Sequence, residues 1–275
     1  MRRRPRHRQS TRAARGRWPR GAREVPLPGA ISVTSPPSAA EVEVLTLGRD
    51  PRPLLEGVSA RAVRAYYLVE SEGHLRYAST ASCGGGLGLT PRILSLHVDR
   101  RLDCEDPERF AYDRAAELGL PEPLVALLTG VENDRVRVAR ARLPGEGGVS
   151  AVALVTAGGR NISAAGRSPI AHEVTPGTIN VVAIVEGRLT DAALLNLLTV
   201  ATEAKCLALA LDGVRLPDGV PATGTSSDAV VVAATDRGTS FRYGGPVTVP
   251  GHLVGAAVLG ATRAALANSR IGREP

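Results

Sequence analysis

Pro176-Gly177-Thr178-Ile179-Asn180 opens an apolar run that reaches Val185. Glu186-Gly187-Arg188 then turns the chain into a long apolar segment, Asp191 to Leu211. The stretch closes on Ala222-Thr223-Gly224-Thr225-Ser226-Ser227-Asp228 and a β-branched run, Val230-Val231-Val232. This reads as a buried strand, a helix of about twenty residues and a second strand, so the fold is α/β. Polar residues sit at the ends of the apolar elements, which is how a reactive site is mounted on a scaffold that supplies the burial. Two charges break the helix pattern, Glu203 and Lys205. At about 100° per residue Asn196, Thr199 and Glu203 share a stripe and Lys205 lies nearly opposite, so the two charges cannot enter one pocket together.

Outward from that centre, the upstream chain is strand-rich. Glu41 to Leu45 alternates with period two, and Ala62 to Val69 is apolar and aromatic. Ser71-Glu72-Gly73-His74 reads as a hairpin turn into Leu75 to Ser79. Ser82-Cys83-Gly84-Gly85-Gly86 reads as a tight bend or a ligand-facing backbone loop. Ile93 to Val98 is a strand carrying His97, and Asp106-Pro107 caps a short helix that ends at Gly119. Strands follow at Leu124–Leu128, Arg135–Ala141 and Val149–Val155, and residues 160–176 read as loop. Beyond the central stretch an amphipathic helix runs from about His252 to Asn268. The expected architecture is a layered α/β sandwich of mixed sheet, with one long buried helix and this amphipathic helix at the C-terminal end. Residues 1–38 read as a disordered Arg/Pro-rich extension and residues 39–270 as one domain.

Charge and composition exclude several function classes. The net charge is +7, but residues 1–23 hold ten Arg and no acidic residue, so the rest of the chain carries −3. The folded body therefore has no electrostatic support for nucleic-acid binding. No segment reads as an uninterrupted apolar span of the ~18 residues a membrane crossing needs. The twin Arg near Met1 is not followed by a secretion signal's apolar stretch. Three cysteines (Cys83, Cys104, Cys206) show no paired spacing, which favours a reducing, cytoplasmic setting. The five His residues are scattered, with no HExxH or Cys partners at zinc spacing, so no metal is expected. GxxxxGK[ST] is absent and the Gly run leads into Thr90-Pro91 instead of a helix, so no nucleotide is expected and no cofactor is called for. GxSxG is absent as well, so an α/β-hydrolase reading has no nucleophile elbow.

What remains is a set of hydroxyls, amides and carboxylates at element ends: Asn161, Thr178, Asn180, Glu203, Thr223, Thr225 and Asp228. Amide hydrolysis needs a nucleophile or activated water, an oxyanion donor and an acid for the leaving amine. Thr178 can supply the first, Asn161 or loop N–H groups the second, and Glu203 or Asp228 the third. Each also has a bland reading. Thr223, Thr225 and Asp228 can merely cap a turn, Glu203 can be a satisfied core carboxylate, and Lys205 can snorkel to the surface. On these grounds alone the chain is an α/β protein with a polar ligand site.

Five stretches carry a resemblance. They are Thr156-Ala157-Gly158 to Asn161, Pro176 to Asn180, Leu189 to Leu194, Ala201-Thr202-Glu203-Ala204-Lys205, and Ala222 to Asp228. In that order and spacing they resemble the adenosylcobinamide amidohydrolases, and Ser79–Gly86 with Leu96-His97-Val98 fit the upstream part of the pattern. The likeness spans roughly residues 60–268. It implies a corrinoid-salvage enzyme that cleaves the amide joining aminopropanol to the corrin ring, giving adenosylcobyric acid and 1-amino-2-propanol. It implies Thr178, Glu203, Asp228 and Asn161 as catalytic, with Gly85, Gly86, His97, Asn180, Lys205, Thr223 and Thr225 around a large pocket for the corrinoid. The chain departs from the pattern at Cys83, where the family usually has Asn, and at Ser226-Ser227, where it usually has Gly-Thr. A fainter likeness, Gly177-Thr178 opening an apolar strand, is similar to the self-cleaving junction of DmpA-type aminopeptidases and ornithine acetyltransferases. The rival reading is a corrinoid carrier without chemistry, and a homo-oligomer is left open.

Overall fold

A computed structural model describes residues 39–99, 106–120, 124–143, 148–158, 161–170 and 178–269. The Arg-rich extension, Cys104, His172 and the Pro176-Gly177 pair lie outside the described residues. The elements in chain order are β1 (Glu41–Leu45), β2 (Arg52–Leu55), β3 (Val58–Ala62), β4 (Tyr66–Ser79), β5 (Gly86–His97) and α1 (Pro107–Glu117). Then come β6 (Val125–Thr129), a 3-10 turn at Asn133–Arg135, β7 (Arg137–Arg142), β8 (Ser150–Ala157), β9 (Ile162–Ser163) and β10 (Ile179–Val185). The chain closes with β11 (Arg188–Leu189), α2 (Asp191–Leu211), β12 (Gly224–Thr225), β13 (Ala229–Ala234), β14 (Ser240–Phe241) and α3 (Val249–Ala267).

Ten strands form one mixed sheet whose path runs β1-β7-β8-β10-β13-β4-β3-β2, with β5 on β4 and β6 on β5. Among the described strands only β10–β13 and β5–β6 pair in parallel within it. The α2 crossover makes β10–β13 parallel, since a helix returns the chain to start its next strand at the same end. Alternation then sorts the side chains. Val181, Ala183 and Val185 of β10, with Val230 and Val232 of β13, pack under α2 and α3. Val182, Ile184, Val231 and Ala233 point to the opposite face, which the curled sheet closes on itself with Leu54, Tyr67, Val138 and Leu154. The Arg140 guanidinium donates to Pro53 O at 3.2 Å, joining β7 to β2 across the curl. A smaller core gathers Leu68, Leu94 and Leu96 with Ala111 and Ala115 of α1. Every residue of β10 is buried. At about 1.5–3 kcal/mol per large side chain, that burial outweighs the cost of taking Asn180 into the same strand.

The helices start where the sequence says they should. Asp106 accepts from Arg109 N at 2.9 Å, with Pro107 at the first position of α1. Thr190 caps α2 and Thr248 caps α3, each through its hydroxyl oxygen at 3.2 Å. Three expectations need correction. The hairpin at Ser71–His74 is absent: β4 runs straight through, and its pairing with β5 shifts register between Glu70 and Leu75, so those residues form a bulge. α2 is buried on one face only, with Leu195, Leu207 and Leu211 about half exposed. Finally, α2 and α3 are each long and apolar enough to cross a membrane by length and composition. In the fold each lays its buried face on the sheet.

Candidate active site

The parallel register places Asn180 beside Ala229, so the starts of β10 and β13 lie side by side. Residues that precede the two strands meet there. Thr178 is buried, and its Oγ1 lies 2.8 Å from both Asn180 Oδ1 and the carbonyl oxygen of Ser227. One hydroxyl proton serves both acceptors. The Asn180 amide is fixed in orientation: Nδ2 donates to Leu128 O at 2.9 Å, and Oδ1 accepts from Ala229 N at 3.3 Å. Asn180 therefore offers Thr178 an acceptor and no base.

Asp228 wraps around the start of β10. Its Oδ1 accepts from Ile179 N at 2.9 Å and from the Thr225 hydroxyl; its Oδ2 accepts from Thr225 N at 3.1 Å and from the Lys205 ammonium. Four donors fill the roughly four lone-pair sites of a carboxylate. The ion pair is dry, with side chains 6% and 12% exposed for Lys205 and Asp228. Gly224 is required for the approach, because a Cβ there would collide with Asp228 Oδ2 and sit 2.7 Å from Lys205 Nζ. The pair lies on the helix side of the sheet, where Val230 follows in the same alternation. Thr178 and Asn180 share the alternation of Val182 and Ile184 and face the interior.

The other expected residues fall into three groups. Thr223 and Asn161 belong to the adjoining ribbon, in which β12 pairs with β9. Thr223 Oγ1 accepts from Ala165 N at 2.9 Å, and Asn161 O accepts from Ser226 N at 3.1 Å. Gly85 and Gly86 make the bend before β5, where a Cβ on Gly85 would meet Ala81 O at 2.7 Å and Gly86 holds φ +94°. His97 ends β5 opposite Thr129, with Nδ1 buried and unpartnered. Among the described residues, the hydrogen bonds of the Thr178 side chain go to Asn180 and Ser227 and not to Gly85, Gly86 or His97. Glu203 is exposed on α2 and stands outside the cluster, since the helix that turns Lys205 inward turns Glu203 to solvent. The cavities lined by Glu56, Glu186 and Arg237, and by Pro53, Val58 and Glu70, lie at the far end of β10 and on the β2–β4 edge. Two hydroxyls that were not singled out as site residues, Thr156 and Ser227, also belong to this neighbourhood. Their signal was available, as a hydroxyl in an otherwise apolar strand end and a second one beside Asp228.

Cys206, next to Lys205 on α2, donates its thiol to Thr223 O at 3.1 Å. Burial pushes the thiol pKa up; the Lys205 charge opposes this, while Asp228 and Glu203 add to it.

Fold and site together define an α/β protein with a buried hydroxyl at the paired starts of two parallel strands, clamped by a buried ion pair. Residues 54–273 match the adenosylcobinamide amidohydrolase family. The chain is 36% identical over 208 residues to the adenosylcobinamide amidohydrolase of Halobacterium salinarum, covering 73% of this chain and 83% of that protein. It is 29% identical over 198 residues to the Methanosarcina mazei protein of the same name, covering 69% and 89%. The chain belongs to the adenosylcobinamide amidohydrolase family. The solved L-aminopeptidase D-Ala-esterase/amidase of Ochrobactrum anthropi is similar at 16% identity and a TM-score of 0.39 over 86% of each chain, too distant to bear on the site.

Proposed function

We propose that this protein hydrolyses the aminopropanol amide of adenosylcobinamide, with Thr178 as nucleophile, and so returns adenosylcobyric acid to cobalamin synthesis. The observation that carries the reading is the Thr178 hydroxyl, buried and held by two acceptors within the segment the family match covers. Its oxygen adds to the amide carbonyl carbon while its proton passes to a base. The C–N bond breaks as the amine nitrogen takes up a proton, and water then splits the ester to give the acid and restore Thr178. Asp228 and Lys205 are positioning residues, because every lone pair of the carboxylate is already engaged. They hold the Ser227 carbonyl against Thr178.

Among the described residues the cluster holds no base for Thr178. An amide oxygen, a peptide oxygen and a saturated carboxylate are all poor proton acceptors. We infer that the base is the α-amine of Thr178 itself, freed when water adds across the Gly177–Thr178 bond and leaves a carboxylate on Gly177. An α-amine titrates near 7.7–8.0, well placed for general base work at neutral pH. Two measurements test these readings separately. Incubation with adenosylcobinamide should release 1-amino-2-propanol; binding without release would instead favour a carrier, and neither binding nor release would sink both. Denaturing mass analysis should find fragments 1–177 and 178–275. A single 28.6 kDa species would remove the α-amine as base and leave Thr178 to act uncut.

A further inference from the structure

Two buried hydroxyls beside Thr178 have no partner to bond. Thr156 Oγ1 and Ser227 Oγ are both shielded from solvent and without a hydrogen bond. Thr156 is fully buried in β8 and sits directly opposite Asn180 in the antiparallel register. Directly opposed residues share a face with Cβ atoms about 4.5–5.5 Å apart, and diagonal neighbours lie about 7–8 Å apart. Thr156 is therefore one position diagonal from Thr178, on the interior face where the Thr178 side chain also lies. Asn180 is already committed to Leu128, Ala229 and Thr178. Ser227 flanks the same hydroxyl from the other side, since its carbonyl oxygen accepts from Thr178.

An unmade hydrogen bond on a buried donor costs stability, and two such donors on the elements flanking Thr178 suit an acceptor that arrives from outside. β8 makes the cost plain. Val152, Leu154 and Val155 around Thr156 are apolar, and valine has the same shape as threonine without the unspent hydroxyl. We infer that the Thr156 and Ser227 hydroxyls are the hydrogen-bond donors to the carbonyl oxygen of the scissile amide, holding it as it gains negative charge in the tetrahedral intermediate. Donors fixed where charge develops act mainly on turnover, because they bond the transition state more strongly than the ground state. The Asn161 carbonyl oxygen accepts from Ser226 N and so steadies Ser227. The assignment rests on the amidohydrolase reading.

The test is steady-state aminopropanol release by Thr156→Val, Thr156→Ser and Ser227→Ala, with the melting temperature of each. Thr156→Val and Ser227→Ala should each lower kcat about 10²–10³-fold, the loss typical of one oxyanion donor, with KM within about threefold of wild type. Thr156→Val should melt no lower than wild type, and Thr156→Ser should recover most of the turnover. A merely structural threonine gives the reverse, a lower melting temperature with kcat kept. Wild-type kcat in both Thr156→Val and Ser227→Ala overturns the assignment alone. A wild-type protein that releases no aminopropanol overturns the functional reading, and this assignment with it.

Discussion

Lys205 and Glu203 lie two positions apart on one helix and should behave in opposite ways. Removing one partner of a buried ion pair leaves the other uncompensated, so Lys205→Met should cost about 3–5 kcal/mol in denaturant unfolding. It should also abolish aminopropanol release by freeing the loop at Ser227. Glu203→Gln, an exposed change, should stay within about ±0.5 kcal/mol and keep turnover within a few-fold. A large loss of turnover in Glu203→Gln with the fold intact would restore that carboxylate to the chemistry. Gly224→Ala tests the clamp by volume alone. A methyl forced against Asp228 and Lys205 should cost about 1–3 kcal/mol, as overpacking does, and a neutral result would mean the loop stands further off than described. Cys206 gives a pH readout. Its folded pKa is raised, so its contribution to stability is full below the ordinary thiol value and is lost as pH climbs through the folded one. In a Cys104→Ser background, Cys206 alkylation by iodoacetamide should show a midpoint above that of a free cysteine. A midpoint at or below it would show that Lys205, not burial, governs the thiol.

At the scale of the element, capping and alternation were legible and pairing was not. Asp106-Pro107 and the run from Thr178 announced a helix start and a buried strand, because caps and apolar periodicity are local properties of the chain. The bulge at Ser71–His74 was missed because Glu-Gly-His is good turn chemistry, and only pairing with β5 on both sides keeps β4 extended. Thr178, Asn180, Lys205 and Asp228 could be named as polar residues on apolar elements. That the two charges bond each other while the hydroxyl faces the sheet interior depends on a parallel register between segments about fifty residues apart, which no local pattern encodes. The cap itself gives a clean control. Thr190 Oγ1 holds the N-terminus of α2 well away from Asp228, so Thr190→Ala should lower stability by about 1 kcal/mol and leave kcat unchanged. A fall in kcat matching that of Lys205→Met would mean that α2 shifts as a unit and carries Lys205 with it.

For the molecule as a whole, the charge asymmetry makes a direct prediction. The chain from Ser38 onward clusters as one compact unit, and the ten arginines that make the protein basic all precede it. A protein beginning at Ser38 should keep the melting temperature and the turnover of the full chain. It should lose whatever binding to heparin or nucleic acid the full chain shows, because the remaining charge, with Glu24 removed as well, is −2. A drop in turnover on truncation would give the extension a part in the reaction.

The parallel pairing of β10 with β13 also sets an order of events during synthesis. Thr178 leaves the ribosome some fifty residues before Asp228, and until α2 has crossed over and β13 has docked there is no Ser227 carbonyl to hold its hydroxyl and no carboxylate to fix Ile179. On the proposed mechanism a nascent chain is thus chemically silent while the Thr178 hydroxyl is still exposed to the wrong amides, and competence arrives only with the docking of β13.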